Sequence, residues 1–170
     1  GLGDVYKRQV PGTQNVTIGG AIANDIHGKN HHKSGSFGNF IKSFELLRSD
    51  GTVLNCSDSL NADFFHATIG GMGLTGVILK VEIKLKRIQN AFINTKTVKY
   101  NSLQEYWDIS SELENQYEYT VSWIDCLMKN DGFRGVFLAG NHSEDTSINM
   151  NDDIKAVSYT HLTLPTTPYV

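Results

Sequence analysis

The chain has 170 residues, of which 39% are hydrophobic and 19% are charged, and its formal net charge is −3. This is the composition of a globular protein, and the length allows one or two small domains with a hydrophobic core. The weak acidity argues against nucleic acid as the main partner, and no apolar run approaches the roughly 18 residues that span a bilayer.

The two ends of the chain differ in character from the sequence between them. GLGDVYKRQ (1–9) shows no helix or strand pattern, and AVSYTHLTLPTTPYV (156–170) is rich in threonine and proline. Both resemble translated adapter or vector sequence, so we expect them to be non-native tails that take no part in the fold. The part to be interpreted is then about residues 10–155, which we expect to be a fragment of a longer protein.

Three elements are predicted in the first part of that sequence. Two apolar runs flank Asp50-Gly51, a dipeptide that favours a tight turn, and predict a β-hairpin. NADFFHATIGG predicts a short helix that begins at Asn61 or Asp63 and stops at a glycine pair. From Val77 onward apolar and charged residues alternate, which predicts a half-buried strand.

A second region begins where glycines become rare, and we place a domain boundary near Arg87–Asn90. Ser102 and Glu105 form a capping box that opens a helix of about 14 residues. Helical spacing predicts core packing for Leu103, Tyr106, Trp107, Leu113 and Tyr117. TVSWIDCLM and FRGVFLAG predict two strands, so the whole is expected to be an α+β fold divided into residues 10–87 and 90–155.

The glycines Gly71, Gly73 and Gly76 match the GxGxxG dinucleotide fingerprint. That fingerprint works between a strand and a following helix, where the helix N-terminus holds the pyrophosphate. Here a predicted helix precedes the glycines and a predicted strand follows them. We therefore interpret them as a tight turn.

The segment DIHGKNHH places three histidines within six positions. His27 and His31 are four residues apart, which would suit zinc on one helical turn. However, Gly28 separates them, and Asp25 is the one acidic residue nearby. We therefore predict no metal site and interpret His31 and His32 as structural residues of a loop.

The longer run PGTQNVTIGGAIANDIHGKNHHKSGSFGNFI is studded with glycine and small at its centre. Such a backbone can lie close along an extended cofactor and donate its amides to phosphates and a flavin ring. On the residues alone, this indicates a binding segment without identifying its ligand.

VPGTQNVTIGGAIANDIHGKNHHKSGSFGNF, FELLRSDGTV and ATIGGMGLTGVIL together resemble the FAD domain of the vanillyl-alcohol-oxidase, or p-cresol-methylhydroxylase (PCMH-type), superfamily. Within it, DIHGKNHH followed by GSFGN is most similar to oxidases acting on decaprenylphosphoryl-β-D-ribose. The resemblance implies that residues 10–87 are the second half of a PCMH-type FAD-binding domain. Residues 90–155 would begin an antiparallel-sheet cap domain that binds substrate.

The resemblance also implies roles for single residues. His27 and Lys29 would be catalytic, and Gly28, Lys29 and Trp123 would contact substrate. Val121 stands where the close relatives have a serine near the substrate. The FAD-contacting residues it implies are Gly12, Thr13, Val16, Thr17, Gly19, Gly20, Ala23, Asn24, Ile26, His27 and Ile78.

The implied activity is FAD-dependent oxidation of a secondary alcohol on a sugar or polyprenyl-phosphate sugar, a step of cell-wall biosynthesis with a short-chain reductase as a further partner. The alternatives are an aldonolactone or alditol oxidase of the same fold, and a non-catalytic carbohydrate- or nucleotide-binding module. We expect the fragment to be inactive by itself, because the first FAD subdomain and the end of the cap are missing from it.

Cysteine usage bears on the cellular compartment. Cys56 and Cys126 are far apart and form no CxxC pattern, which argues against a disulfide framework or a structural zinc site. A reducing, cytoplasmic location is therefore expected. The resemblance adds membrane association through a lipid-linked substrate.

Overall fold

The computed structural model describes residues 5–12, 15–89, 92–125, 127 and 133–144. The helices within these ranges are α1 (Ile18–Ala23), α2 (His31–Ser34), α3 (Ala62–Thr68) and α4 (Leu103–Gln116). The strands are β1 (Val5–Lys7), β2 (Ile41–Leu47), β3 (Val53–Ser57), β4 (Val77–Ile83), β5 (Leu85–Arg87), β6 (Ile93–Tyr100), β7 (Tyr119–Ile124) and β8 (Gly135–His142). None of the described helices combines the length and apolarity needed to cross a bilayer.

The first region is built on an antiparallel sheet in the order β3-β2-β4. β2 and β3 form the predicted hairpin, with Leu47 opposite Val53. The turn between them places Gly51 at φ 84°, and the Asp50 carboxylate accepts a hydrogen bond from the Thr52 amide at 2.9 Å. Positive φ carries little cost at glycine, so the prediction from Asp50-Gly51 is confirmed.

One face of this sheet packs against α1 and α3 to form the first core. Phe44 of β2 stacks on Phe65 of α3, with ring centroids 5.2 Å apart. Cys56 of β3 is 1% exposed within the same cluster. The other buried members are Ala21, Ile22, Phe37, Ile41 and Leu46.

The glycine-rich turn lies between α3 and β4, so a helix precedes it and a strand follows it, as predicted. The turn passes very close to neighbouring backbone. A Cβ at Gly71 would lie 2.0 Å from the Ala67 carbonyl oxygen, and one at Gly76 would lie 2.4 Å from that of Leu47. These glycines therefore serve close backbone packing, and the interpretation of them as a tight turn is confirmed.

The second region is an antiparallel sheet in the order β6-β8-β7, covered by α4. Tyr100, Leu113, Phe137 and Ala139 form its core. The predicted cap of α4 is present, since Ser102 Oγ accepts a hydrogen bond from the Glu105 amide at 3.1 Å. The predicted mixed helix and antiparallel-sheet fold is confirmed.

Two side chains of α4 were wrongly predicted to be core residues. Leu103 is 49% exposed and Trp107 is 55% exposed. The buried stripe instead follows Tyr106, Leu113 and Tyr117, which pack against the second core. Leu103 and Trp107 lie one turn apart on the neighbouring face of the helix, so they share a stripe that faces solvent.

Residues 5–9 correct our expectation that the first tail stands outside the fold. β1 pairs antiparallel with β5. Gln9 is 1% exposed, and its side chain accepts a hydrogen bond from the Gly28 amide and donates one to the Gly35 carbonyl. A three-residue strand is too short to show periodicity in a sequence. The second tail, residues 156–170, lies outside the described residues.

Candidate functional site

A groove of about 340 Å³ lies between the DIHGKNHH segment and the second region. One wall consists of Val10, Gly12, His27, Gly28, Lys29 and His31. The facing wall consists of Tyr106, Glu114, Thr120, Val121, Ser122 and Phe137. The groove therefore joins a loop of the first region to the helix and sheet of the second.

Most of the first wall belongs to residues 27–34, a loop that we call the loop wall. It is held at its base by the first region. Asp25 has φ 41°, and its carboxylate accepts a hydrogen bond from the Gly38 amide at 2.7 Å. Phe37 donates its amide to the Ile26 carbonyl at 2.7 Å, and His27 forms a β-bridge with Ser36. The chain thus leaves the core at Ile26 and returns at Phe37, so residues 27–34 project from it as a loop.

The three histidines of the loop have different surroundings. His27 is exposed, and its ring lies 4.9 Å from that of His31, centroid to centroid. The two Nδ1 atoms lie 3.4 Å and 3.1 Å from the same Gly28 carbonyl oxygen. Across the described residues, no three His, Cys, Asp or Glu side chains are placed to share a metal ion. His32 instead points to α4, with Nε2 3.3 Å from the Tyr117 carbonyl oxygen.

The facing wall takes its geometry from the second core. Ser110 donates a hydrogen bond to Glu114 Oε1 at 2.6 Å, which orients that carboxylate on α4. Tyr100 is fully buried, and its hydroxyl lies 2.7 Å from Ser122 Oγ. Polar groups of this wall are therefore positioned from beneath by buried partners, as a preorganised site requires.

Gly12, His27, Gly28 and Lys29 are the predicted site residues that line the groove. Lys29 is half-buried, and none of the described residues forms a hydrogen bond or ion pair with its ammonium. A Cβ at Gly28 would lie 2.6 Å from Gln9 Oε1 and 3.0 Å from Asn30 Oδ1, so glycine is required here for the loop backbone to pack closely on these two buried side chains.

The other predicted site residues lie elsewhere. Three of them pack against the first core, namely Val16, Ile26 and Ile78. Thr17 caps α1 by accepting a hydrogen bond from the Gly20 amide. Asn24 Nδ2 donates a hydrogen bond to the Gly20 carbonyl at the other end of this helix. Gly19, Gly20 and Ala23 belong to α1. Thr13 falls outside the described residues. The segment that we expected to lie along an extended cofactor is thus partly helical, and its contact with FAD stays a prediction.

Trp123 does not line the groove, although its strand neighbours do. His31, which we interpreted as structural, does line the groove. Tyr106, Glu114 and Phe137 were not predicted as site residues. Helical spacing identified Tyr106 as a core position, and no pattern singled out Glu114 or Phe137.

Residues 6–57 match a family model that is described as an FAD binding domain. Over 122 residues the chain is 43% identical to the decaprenylphosphoryl-β-D-ribose oxidase of Mycolicibacterium smegmatis, covering 71% of this chain and 26% of that protein. The chain belongs to the PCMH-type family of FAD oxidoreductases.

Other relatives in this family have different names. The chain is 30% identical over 138 residues to the L-gulonolactone oxidase of Mus musculus, covering 81% of this chain and 27% of that protein. It is 34% identical over 134 residues to an uncharacterized protein of Streptomyces coelicolor, covering 78% of this chain and 36% of that protein. The chain spans about a quarter to a third of the length of these relatives.

FAD is the cofactor of this family, and the groove suits it chemically. A flavin presents hydrogen-bond acceptors and an anionic pyrophosphate, for which backbone amides and cationic side chains are suitable partners. The loop wall offers the His27 ring and the Lys29 ammonium on either side of Gly28. These are the residues of the groove that would hold the cofactor or the substrate beside it.

Proposed function

We propose that this chain is the flavin-side and substrate-side part of an FAD-dependent oxidoreductase that oxidises a secondary alcohol of a polyprenyl-phosphate sugar. The groove between the family's FAD domain and the second sheet carries the proposal. It combines the Lys29 ammonium on the loop wall with hydroxyl groups and the Glu114 carboxylate on the facing wall. This arrangement suits a phosphorylated polyol whose phosphate lies at Lys29 and whose sugar hydroxyls face Glu114. The relative with 43% identity is named for such a substrate. Cell-wall biosynthesis is then the process served.

In this proposal each groove residue has a definite task. When bound, FAD would supply the two-electron acceptor for a hydride from the carbinol carbon, while a base takes the hydroxyl proton. His27 orients substrate or flavin by hydrogen bonding, and its exposure leaves the ring free to turn toward either. Lys29 holds the substrate phosphate as a point charge. Gly28 lets the loop backbone pack directly on Gln9 and so holds His27 and Lys29 in place. Trp123, which lies outside the groove lining, would contact substrate from β7.

Val121 bears on which sugar is accepted. It lines the facing wall between Thr120 and Ser122, at the position where the resemblance implies a serine. A valine offers no hydrogen bond to a sugar hydroxyl, so the sugar must be oriented by its neighbours. We propose that this residue shifts preference among sugars within the same substrate class.

The further parts of the proposal concern the protein's surroundings. A 2-keto sugar product is a substrate for reduction, so a short-chain reductase would complete an epimerisation. A polyprenyl chain partitions into a bilayer, which would bring a cytoplasmic enzyme to the membrane surface.

The full-length protein tests this directly. We expect it to purify with the absorbance of bound flavin, and anaerobic addition of a short-chain polyprenylphosphoryl-β-D-ribose should bleach that absorbance. A colourless preparation that FAD does not restore would contradict the proposal and favour a non-catalytic carbohydrate- or nucleotide-binding module.

The 30% identity to L-gulonolactone oxidase favours a second candidate, an aldonolactone or alditol oxidase. Such an enzyme has no phosphate to bind and therefore no use for Lys29 as an anion site. Reduction by L-gulono-1,4-lactone or xylitol, unaffected by Lys29→Met, would select this candidate. Reduction only by the phosphoryl sugar, with a strong loss in Lys29→Met, would select the first.

A further inference from the structure

The carbonyl groups at the C-terminal end of α4 need hydrogen-bond donors from outside the helix. The last four carbonyl groups of any α-helix have no partner within the helix, and this end carries negative partial charge. α4 has no basic residue in its own last turn, and Glu112 and Glu114 lie close to it. Its terminal carbonyls therefore depend on donors from other parts of the chain.

Those donors come largely from the loop wall. Lys33 Nζ donates to the Asn115 carbonyl at 3.0 Å, and His32 Nε2 lies 3.3 Å from the Tyr117 carbonyl oxygen. The carbonyl between them, that of Gln116, accepts from Asn141 at 3.3 Å. Two successive residues of α2 thus supply side-chain donors to the end of a helix more than 80 positions away in sequence.

A backbone contact completes the attachment. The Thr120 amide donates to the Lys29 carbonyl at 2.8 Å, at the start of β7. Lys29 and Thr120 both line the groove, and Glu114 lies one residue before the carbonyl held by Lys33. The three contacts therefore set the separation of the two groove walls.

The hydrogen bonding of the His32 ring is better suited to holding the loop wall in position than to stabilising the fold. Its Nε2 must carry the proton to donate to Tyr117, which leaves Nδ1 as an acceptor. Nδ1 is buried and has no partner among the described residues. A buried polar atom without a partner costs free energy, which offsets what the Nε2 hydrogen bond contributes. The contact thus fixes a position at little net gain in stability.

We propose that His32 and Lys33 are positioning residues that dock the loop wall onto the end of α4 and so fix the groove in which substrate is held. This inference rests on the proposed function for its catalytic consequence. His32 was interpreted as structural from the sequence, and Lys33 was given no role. Neither residue lines the groove, so both act through Lys29 and Thr120.

The experiment measures docking and catalysis separately in the full-length protein. The variants are His32→Leu and Lys33→Met, which remove the donors, and His32→Gln and Lys33→Arg, which retain one. His66→Leu is the matched control, because His66 lies on α3 with its side chain 67% exposed. Hydrogen–deuterium exchange of peptides covering residues 115–122 reports docking. Steady-state oxidation of short-chain polyprenylphosphoryl-β-D-ribose, with a redox dye that reoxidises the flavin, reports KM and kcat.

We expect Lys33→Met to raise exchange in residues 115–122 by roughly three- to tenfold, the effect of losing one ordinary hydrogen bond. His32→Leu should raise it by a smaller factor, because the unpartnered Nδ1 is removed together with the Nε2 donor. KM should rise by a similar factor, with a smaller change in kcat. His32→Gln and Lys33→Arg should stay close to wild type, as should His66→Leu and exchange in the first core.

Unchanged exchange in both donor-removing variants would overturn the proposal, as would failure of both donor-retaining variants to rescue it. An equal rise in exchange throughout the protein would overturn it too, by showing a general loss of stability. If the wild-type flavin is not reduced by the phosphoryl sugar, the proposed function fails, while the exchange data still decide the docking.

Discussion

The two walls of the groove are built in different ways. The loop wall projects from the first core between Ile26 and Phe37, and His27 on it is exposed. The facing wall comes from α4, β7 and β8, and its residues lie directly over the second core, with Phe137 belonging to both. Changes to the facing wall should therefore act through stability, and changes to the loop wall through binding or catalysis.

The largest effect is expected where the facing wall meets its core. Leu113→Ala removes a side chain that is 1% exposed beneath α4. A buried leucine-to-alanine change costs about 2–5 kcal/mol through lost burial and the cavity that remains. Urea unfolding of the purified chain measures this. Leu103→Ala, on the exposed face of the same helix, is the control, and equal losses in the two variants would contradict the packing of α4.

The next effect concerns the ion pair between the regions. Lys86 of β5 pairs with Glu118, which precedes β7, and both side chains are about three-quarters buried. Burial of Glu118 opposes its ionisation, but the hydrogen bond and charge of Lys86, with smaller contributions from Tyr119 and His142, together hold the pKa of that carboxyl below its ordinary value. We expect Glu118→Gln to cost about 1–2 kcal/mol at neutral pH, between the values for exposed and fully buried pairs.

The pH dependence of that loss has a definite sign. A depressed carboxyl pKa stabilises the fold above the unfolded value, and the contribution disappears as pH falls through the folded value. The difference in free energy of unfolding between wild type and Glu118→Gln should therefore become smaller as the pH falls. Glu82→Gln removes the exposed ion pair with Lys42 and should change the free energy of unfolding little at any pH. A difference that widens in acid would refute the assignment.

A smaller effect is expected at the beginning of α4. Ser102→Ala removes the side chain that accepts from the Glu105 amide, and loss of such a cap costs about 1 kcal/mol. Ser111→Ala, an exposed position inside the helix, serves for comparison. Thermal unfolding followed by circular dichroism distinguishes them, and a Ser111→Ala loss as large as that of Ser102→Ala would show that the cap contributes nothing.

The smallest effect on stability is expected at His27, although its effect on catalysis should be large. Because the side chain is exposed, His27→Ala should change the free energy of unfolding by no more than about 0.5 kcal/mol. In the full-length protein it should slow flavin reduction strongly while bound FAD is retained. His31→Ala serves as the comparison, and stopped-flow reduction with and without EDTA measures both. Equal collapse of both, restored by zinc, would indicate a metal site instead.

Local patterns predicted the regular elements well. Asp50-Gly51 predicted a hairpin and Ser102 with Glu105 the start of α4, because turn and cap preferences depend on a few neighbouring residues. The helix predicted to begin at Asn61 or Asp63 begins at Ala62, but the Asn61 side chain makes no cap hydrogen bond to it. The order of helix, glycines and strand was also sufficient to reject the dinucleotide fingerprint at Gly71. The resemblance to the PCMH-type family was confirmed by the comparisons.

The groove could be predicted only on one side. His27, Gly28 and Lys29 are adjacent in sequence, so their grouping was visible. Glu114 and Tyr106 join them through the packing of α4 against a sheet whose partners are distant in sequence, and no local pattern reports such contacts. The short helix α1 was also missed, because Gly19 and Gly20 disfavour helix and the Thr17 cap has to compensate.

Because Cys56 is buried in the first core, the reaction of its thiol with a reagent reports how often that core opens. Burial raises the pKa of this thiol against the opposing charge of Arg48, so both its ionisation and its access to solvent are suppressed. Alkylation then requires the β3 edge of the core to open, and the rate of labelling counts those openings. In a Cys126→Ser background, a thiol reagent therefore follows the first region alone while the second region is perturbed by mutation.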